Sequence, residues 1–313
     1  MLKNLDLTFL LNTPAFKHIR NLQRKRLIEL EEMVFESKLP VLILFEGWDA
    51  SGKGAVIREL THRLDPRGFK VYETQAPRTL EKKMPWLWRF WMQIPRRGQI
   101  AIFDRSWYGR VLIERVEGLI PIPDWIRAYT EINNFERTLA ADQAVFVKFW
   151  LQITEEEQLR RFIEMSDNPM TAWEISAEDW GRHRKYKEYE AALKDMLENT
   201  NTAYAPWVVI SATDSNYCIY QVYCALINSL EEHLGLERTS WKSLKQLNVQ
   251  AAKVKEEKIS KKARKDEKKA YQKKKKAGEK EAASAKDTLS KNGRSKSGRD
   301  QLSKPTGEEN ELC

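Results

Sequence analysis

Apolar positions along the chain fall into two rhythms. Ahead of residue 39 they recur near a 3.6-residue period, at Ile19, Leu22, Leu27, Leu30 and Val34 among Lys, Arg and Glu, which predicts an amphipathic helix over about 15–38. From Val41 onward, short β-branched runs appear at 41–45 (VLILF), 69–72 (FKVY), 100–103 (IAIF), 145–150 (VFVKFW) and 207–210 (WVVI), each the length of a buried parallel strand. Helical patterns separate them at 55–64, 79–93, 124–141, 154–164, 177–198 and 215–233. Two of these starts carry capping signals, Thr154 with Glu157 three residues on and Ser176 with Asp179. Strand and helix in alternation predict an α/β fold, a five-stranded parallel sheet covered by helices on both faces.

Composition changes the picture at one point, the C-terminal quarter. The whole chain carries 54 Lys+Arg and 45 Asp+Glu, but 22 of the basic and 11 of the acidic residues lie in 241–313. The first 240 residues are therefore nearly neutral, with 32 basic and 34 acidic side chains, and read as one domain followed by a basic tail. In that tail large apolar residues thin out and no stripe is left for docking, so a disordered segment or a solvated helix is expected over 241–313. A hydrophobic content of 42% with 11 tryptophans suffices for a large core, and no apolar run nears the roughly 18 residues of a membrane span. The first 20 residues lack the pattern of a signal peptide. Cys218, Cys224 and Cys313 make an odd count without paired spacing, which predicts neither disulfides nor zinc and points to the cytoplasm. The four histidines are scattered and read as packing or surface residues.

The chemistry concentrates in two stretches. Residues 45–54, FEGWDASGKG, join a predicted strand to a predicted helix and follow the phosphate-loop spacing G-x-x-x-x-G-K up to its last position, where Gly54 replaces the usual metal-binding hydroxyl. Gly47, Ala50, Ser51, Gly52, Lys53 and Gly54 are the candidate phosphate cradle, formed by backbone N–H groups and the positive end of the following helix. Residues 100–110, IAIFDRSWYGR, deliver Asp104 and then Arg105 and Arg110 from a second strand to the same edge of the sheet. With no hydroxyl at position 54, Mg²⁺ would need carboxylates from elsewhere, and Asp49 and Asp104 are the candidates. An acid inside a phosphate loop repels phosphate unless a cation lies between, which favours a metal or proton role for Asp49. Arg58, Arg67 and Arg89 belong to a set of cations near this edge that exceeds what one triphosphate needs and would suit a linear polyanion. Trp86, Trp88 and Trp91 read as helix packing in preference to base stacking.

Together with Leu64 to Arg67 (LDPR), Ala76-Pro77, FDRSWYGR, Glu114-Arg115-Val116, Phe135-Glu136-Arg137, EEEQLRRF and Ala205-Pro206-Trp207, this loop resembles the polyphosphate kinase 2 family over about residues 15–235. The resemblance implies a P-loop kinase fold over 1–240 with a helical lid at about 154–190. It also implies Mg²⁺-dependent phosphoryl transfer between inorganic polyphosphate and a nucleoside mono- or diphosphate, with Mn²⁺ able to substitute, by a homo-oligomer. Trp48 and Tyr108-Gly109-Arg110 are most similar to the AMP-accepting branch, so AMP to ADP is the expected reaction, with ADP to ATP beside it. By the same resemblance Asp49, Lys53, Asp104 and Arg105 are the central catalytic positions, Arg161 is a lid arginine that helps neutralise the moving phosphoryl group, and Arg115 joins the polyphosphate channel. Two other readings stand beside this one: an ATP-dependent nucleotide kinase on the same fold, and a nucleic-acid-binding protein using the basic tail without sequence preference.

Overall fold

A computed structural model describes residues 2, 5–11 and 13–241; the basic tail expected beyond Trp241 lies outside the described residues. In chain order the elements are α1 (Thr13–Glu36), β1 (Val41–Gly47), α2 (Lys53–Thr61), β2 (Phe69–Glu73), α3 (Trp88–Trp91), β3 (Ile100–Asp104), α4 (Ile113–Val116), α5 (Ile122–Ala141), β4 (Val145–Gln152), α6 (Glu155–Asp167), α7 (Ala177–Arg184), α8 (Tyr186–Thr200), β5 (Trp207–Ser211) and α9 (Ser215–His233). The five strands pair in the order β2-β3-β1-β4-β5, all parallel. Among the described residues no helix is long and apolar enough to cross a membrane.

β1 lies in the middle, and its apolar run Val41 to Phe45 is at most 2% accessible. The chain leaves β1 toward β2 and β3, then crosses to β4 and β5, so the crevice opens where the connections diverge at the carboxyl ends of the strands. In register, Phe45 lies beside Asp104 on one flank and Gly47 beside Leu151 on the other. These pairings bring the ends of β1 and β3 together.

Two expected helices differ from the structure. The stretch 79–93 is a 3₁₀ turn, Glu81–Lys83, followed by the single turn of α3. Pro85 is the cause: it has no N–H to donate and drives the residue before it out of the helical region, and Met84 is extended at φ −109°, ψ 162°. Trp86 and Trp91 each contact α5, although Trp91 is 45% accessible and both line an open cavity beside α5. The Trp86 indole N–H donates to Glu131 at 2.7 Å and the Trp91 ring meets Phe135 edge-on. The stretch 177–198 divides into α7 and α8 at Lys185. Trp180 and His183 of α7 pack on Phe162 of α6, while Tyr186 of α8 packs on Trp48, and the break lets both contacts form.

Candidate active site

Glycine is required where β1 ends. Gly47 has φ 153°, and a Cβ there would lie 2.7 Å from the Leu151 carbonyl oxygen of the neighbouring strand. The loop then turns through Ala50 at φ 58° and Gly52 at φ 94° into α2. Gly52 caps α2 without a side-chain bond, which leaves the first N–H groups of the helix for a ligand. At Gly54, by contrast, an added Cβ meets nothing within 4 Å, so the missing hydroxyl is not a matter of space.

Lys53 folds back over this loop, donating from Nζ to the carbonyls of Gly47 and Trp48 at 3.0 Å each. Burial lowers its pKa, Arg105 adds to that, and Asp49, Asp104 and Glu46 oppose it. Asp104 ends β3, and Arg105 after it adopts φ 60°, a left-handed conformation that is uncommon away from glycine and concentrates at functional sites. That turn aims the guanidinium at the loop. Arg105 Nη2 donates to Asp49 Oδ1 at 2.6 Å. Burial alone would raise the Asp49 carboxyl, but Lys53, Arg105 and Arg182 hold it below the ordinary aspartate range.

Below the crevice, two buried clusters fix the turn after β3. Glu46 Oε1 accepts from both the N–H and the hydroxyl of Ser106 at 2.8 Å, and burial pushes its pKa up against those bonds. Deeper, Glu136 accepts from Trp107 Nε1, Tyr108 Oη and Lys148 Nζ, and Lys148 also donates to Tyr108 Oη and the Thr200 carbonyl. Both partners of this ion pair have fully buried side chains. The burial forces both toward neutrality, raising the Glu136 pKa and lowering that of Lys148 against their mutual attraction.

Asp49, Lys53, Asp104 and Arg105 therefore meet as expected. Arg161 does not join them. Its Nη1 donates to the Ala50 carbonyl at 2.9 Å, its Nη2 to the carbonyls of Ala212 and Thr213 at 2.7 and 2.8 Å, and its Nε to Glu157. Every nitrogen is used on these partners, so Arg161, although on α6 within the expected lid stretch, splints Ala50 to the turn after β5. Arg110 is likewise engaged, with Glu114 at 2.6 Å and over the Trp86 ring. Three of the four expected channel arginines have partners close at hand. Arg67 pairs with Asp65, Arg89 with Glu81 and the Gln75 carbonyl, Arg115 with Asp195 and Tyr129, and Arg58 stands exposed on α2.

The cation that does arrive from the lid is one that no motif in the sequence marks. Arg182 on α7 donates Nε to Asp49 Oδ2 at 2.7 Å. Gln158 of α6 donates to the Asp49 carbonyl at 3.1 Å and contacts His183 Nδ1 at 2.8 Å. Trp48 stacks on Tyr186 at 3.9 Å between ring centroids, so the loop tryptophan is covered by the lid. The one usable signal for Arg182 is the capping box at Ser176, which is present as expected and sets the phase of α7; three residues on from Asp179, Arg182 shares its face.

Among the described residues no cluster of three or more His, Cys, Asp or Glu could hold a metal. A hard cation that keeps its waters needs only one or two carboxylates; Asp49 and Asp104, both acting on the charge of Lys53, are the donors that would hold Mg²⁺. The Ser51 hydroxyl, buried in the loop without a hydrogen-bond partner, is a further oxygen for a ligand there.

Comparison with known proteins agrees with this geometry. Residues 12–236 match the family model described as "Polyphosphate kinase 2 (PPK2)". A curated relative from Pseudomonas syringae pv. tomato, named polyphosphate:AMP phosphotransferase, is 42% identical over 239 residues, which cover 76% of this chain and 48% of the relative. The chain spans about half the length of the first curated relatives it matches, or somewhat less. The crystal structure of a putative polyphosphate kinase 2 from Pseudomonas aeruginosa PA01 superposes with TM-score 0.73 at 40% identity, covering 75% of this chain and 51% of that one. That of polyphosphate kinase 2 from Arthrobacter aurescens TC1 gives TM-score 0.71 at 31% identity, covering 78% and 89%.

Proposed function

Because the chain belongs to the polyphosphate kinase 2 family, we propose that it transfers phosphoryl groups reversibly between inorganic polyphosphate and a nucleotide, with AMP as acceptor and ADP as product. One observation carries this reading: the carboxylate inside the phosphate loop, Asp49, is bound by a guanidinium from the next strand 2.6 Å away, where an ordinary ATP-binding loop has a hydroxyl at position 54. The name of the 42%-identical relative supports AMP in particular.

Phosphoryl transfer needs positioning and charge stabilisation more than covalent work by the protein. Lys53 and Arg105 supply positive charge at the ends of β1 and β3, where the strands and their left-handed turns hold it in place before substrate arrives. The free N–H groups at the start of α2 bind phosphate oxygens. Asp49 and Asp104 are the residues that would hold Mg²⁺, which would supply charge neutralisation to the phosphate. The acceptor phosphate, with a second pKa near about 6, is already largely deprotonated at neutral pH and needs little help from a base. Free thiols at Cys218 and Cys224 suit a reducing compartment and support the cytoplasm as the site of reaction.

The test is an acceptor panel: AMP, ADP, GMP and GDP in turn with polyphosphate and Mg²⁺, products followed by chromatography. AMP is expected to be consumed fastest. Faster turnover of ADP or of either guanine nucleotide would contradict the acceptor assignment while leaving the donor intact.

A further inference from the structure

Asp49 is shared by two layers of the molecule. Its Oδ1 accepts from Arg105 at 2.6 Å and its Oδ2 from Arg182 at 2.7 Å, so one carboxylate ties the sheet edge to the lid helix α7. The two guanidiniums are held in different ways. Arg105 is fixed by its backbone N–H, which donates to the Phe45 carbonyl, and by the buried Ser106–Glu46 contact next to it. Arg182 rides on an eight-residue helix that follows a largely exposed connection, with Met170 and Trp173 each 80% accessible. It also has a second anion, Asp179, on its own helix.

If an oxygen of Asp49 is taken by a metal ion, the group that can give way is therefore Arg182. Its neighbours then decide where it goes. Lys53 and Arg105 repel it, Asp179 travels with it, and a phosphate chain in the crevice would be a new anion within reach. Because Arg182 lines the same crevice as Asp49 and Arg105, this exchange needs no rearrangement of the sheet.

We propose that Arg182 is an exchangeable counter-ion carried by the lid: it pairs with Asp49 until a divalent cation takes that carboxylate, and then pairs with the phosphate chain. Lid position and loading of the crevice are thereby coupled through a single carboxylate. The phosphate half of this role rests on the proposed function, and the metal half does not. A side chain with a merely structural role would weaken every ligand when removed. Arg182 should instead oppose one ligand and favour another.

The experiment uses the full chain and the variants Arg182→Gln and Arg182→Lys. Mn²⁺ alone, followed by electron paramagnetic resonance without any phosphate, is expected to bind Arg182→Gln about tenfold more tightly than the parent, the scale of one charged hydrogen bond. Tripolyphosphate with Mg²⁺ is expected to bind Arg182→Gln about tenfold more weakly, and Arg182→Lys, which keeps the charge, should fall between. Unchanged or weaker Mn²⁺ binding by Arg182→Gln overturns the exchange, as does unchanged tripolyphosphate binding. Should Arg182→Gln not fold, Asp179→Asn gives the opposite sign: Arg182, relieved of its competing anion, should hold Asp49 harder and weaken Mn²⁺ binding, and tighter binding would overturn the proposal. If both shifts appear but polyphosphate supports no turnover in the parent, the donor assignment fails and the role of Arg182 stands.

Discussion

The two walls of the crevice are built on opposite principles. The loop wall is held from within: β1 is buried along its length, Arg161 splints Ala50 from behind, and the Lys148–Glu136 pair and Ser106–Glu46 contact root the turn carrying Arg105. The lid wall reaches the loop through side chains, Arg182 to Asp49, Gln158 to the Asp49 backbone, and Tyr186 against Trp48. This contrast separates the work of the site. Groups that stabilise the moving phosphoryl gain from being fixed before it arrives, and groups that admit substrate gain from being releasable.

The largest effect should come from undermining the loop wall at its root. Lys148→Met leaves Glu136 buried without its counter-ion and is expected to cost about 3–5 kcal/mol in denaturant unfolding, with activity lost through the fold. A cost below about 1 kcal/mol would mean that the pair does not root the turn. Next, Lys53→Met should reduce phosphoryl transfer by about 10²–10³-fold. The unfolding midpoint should hold or rise, because a buried ammonium is removed; a matching loss of stability would make Lys53 a structural residue of the loop.

Arg161→Gln discriminates between the walls most sharply. As a splint behind the loop it should cost about 1.5–3 kcal/mol of stability, and weaken nucleotide and polyphosphate together. A normal melting curve with only kcat reduced would return Arg161 to the phosphoryl group. The smallest effect lies far from both walls, at Glu31. Its carboxyl is pushed up, first by burial, and its Oε1 has no hydrogen-bond partner. A raised carboxyl pKa stabilises the fold below the ordinary glutamate range, and that contribution is lost as pH rises through the raised value. Glu31→Gln should therefore flatten the fall in melting temperature on going from about pH 4 to neutrality, with turnover unchanged.

Much of the loop wall is legible in the order of residues alone. The five strands begin where the β-branched runs begin and end within two residues of the expected ends, because strands that are buried on both faces are mostly apolar and leave a local signature, while β2, at the sheet edge, is largely exposed. Asp49, Lys53, Asp104 and Arg105 follow, since the ends of parallel neighbours converge by topology alone. The lid is not legible to the same depth. Position along the chain places Arg161 in a helix near the site, but which way that helix turns its arginine depends on packing of α6 against the turn after β5. Arg182 is three residues past the capping box, and only the fold shows that its face of α7 meets Asp49. Of the cations expected to line a channel, Arg67, Arg89 and Arg115 each have a carboxylate partner, and Arg58 and Arg67 stay exposed.

The central claim is that this loop wall serves a polyphosphate donor. The most direct measurement follows ADP formation from AMP and Mg²⁺ with either polyphosphate or ATP as the sole donor, using the parent chain and Lys53→Met. ADP formed from polyphosphate by the parent, and lost in Lys53→Met, is the predicted result. ADP formed from ATP but not from polyphosphate would contradict it.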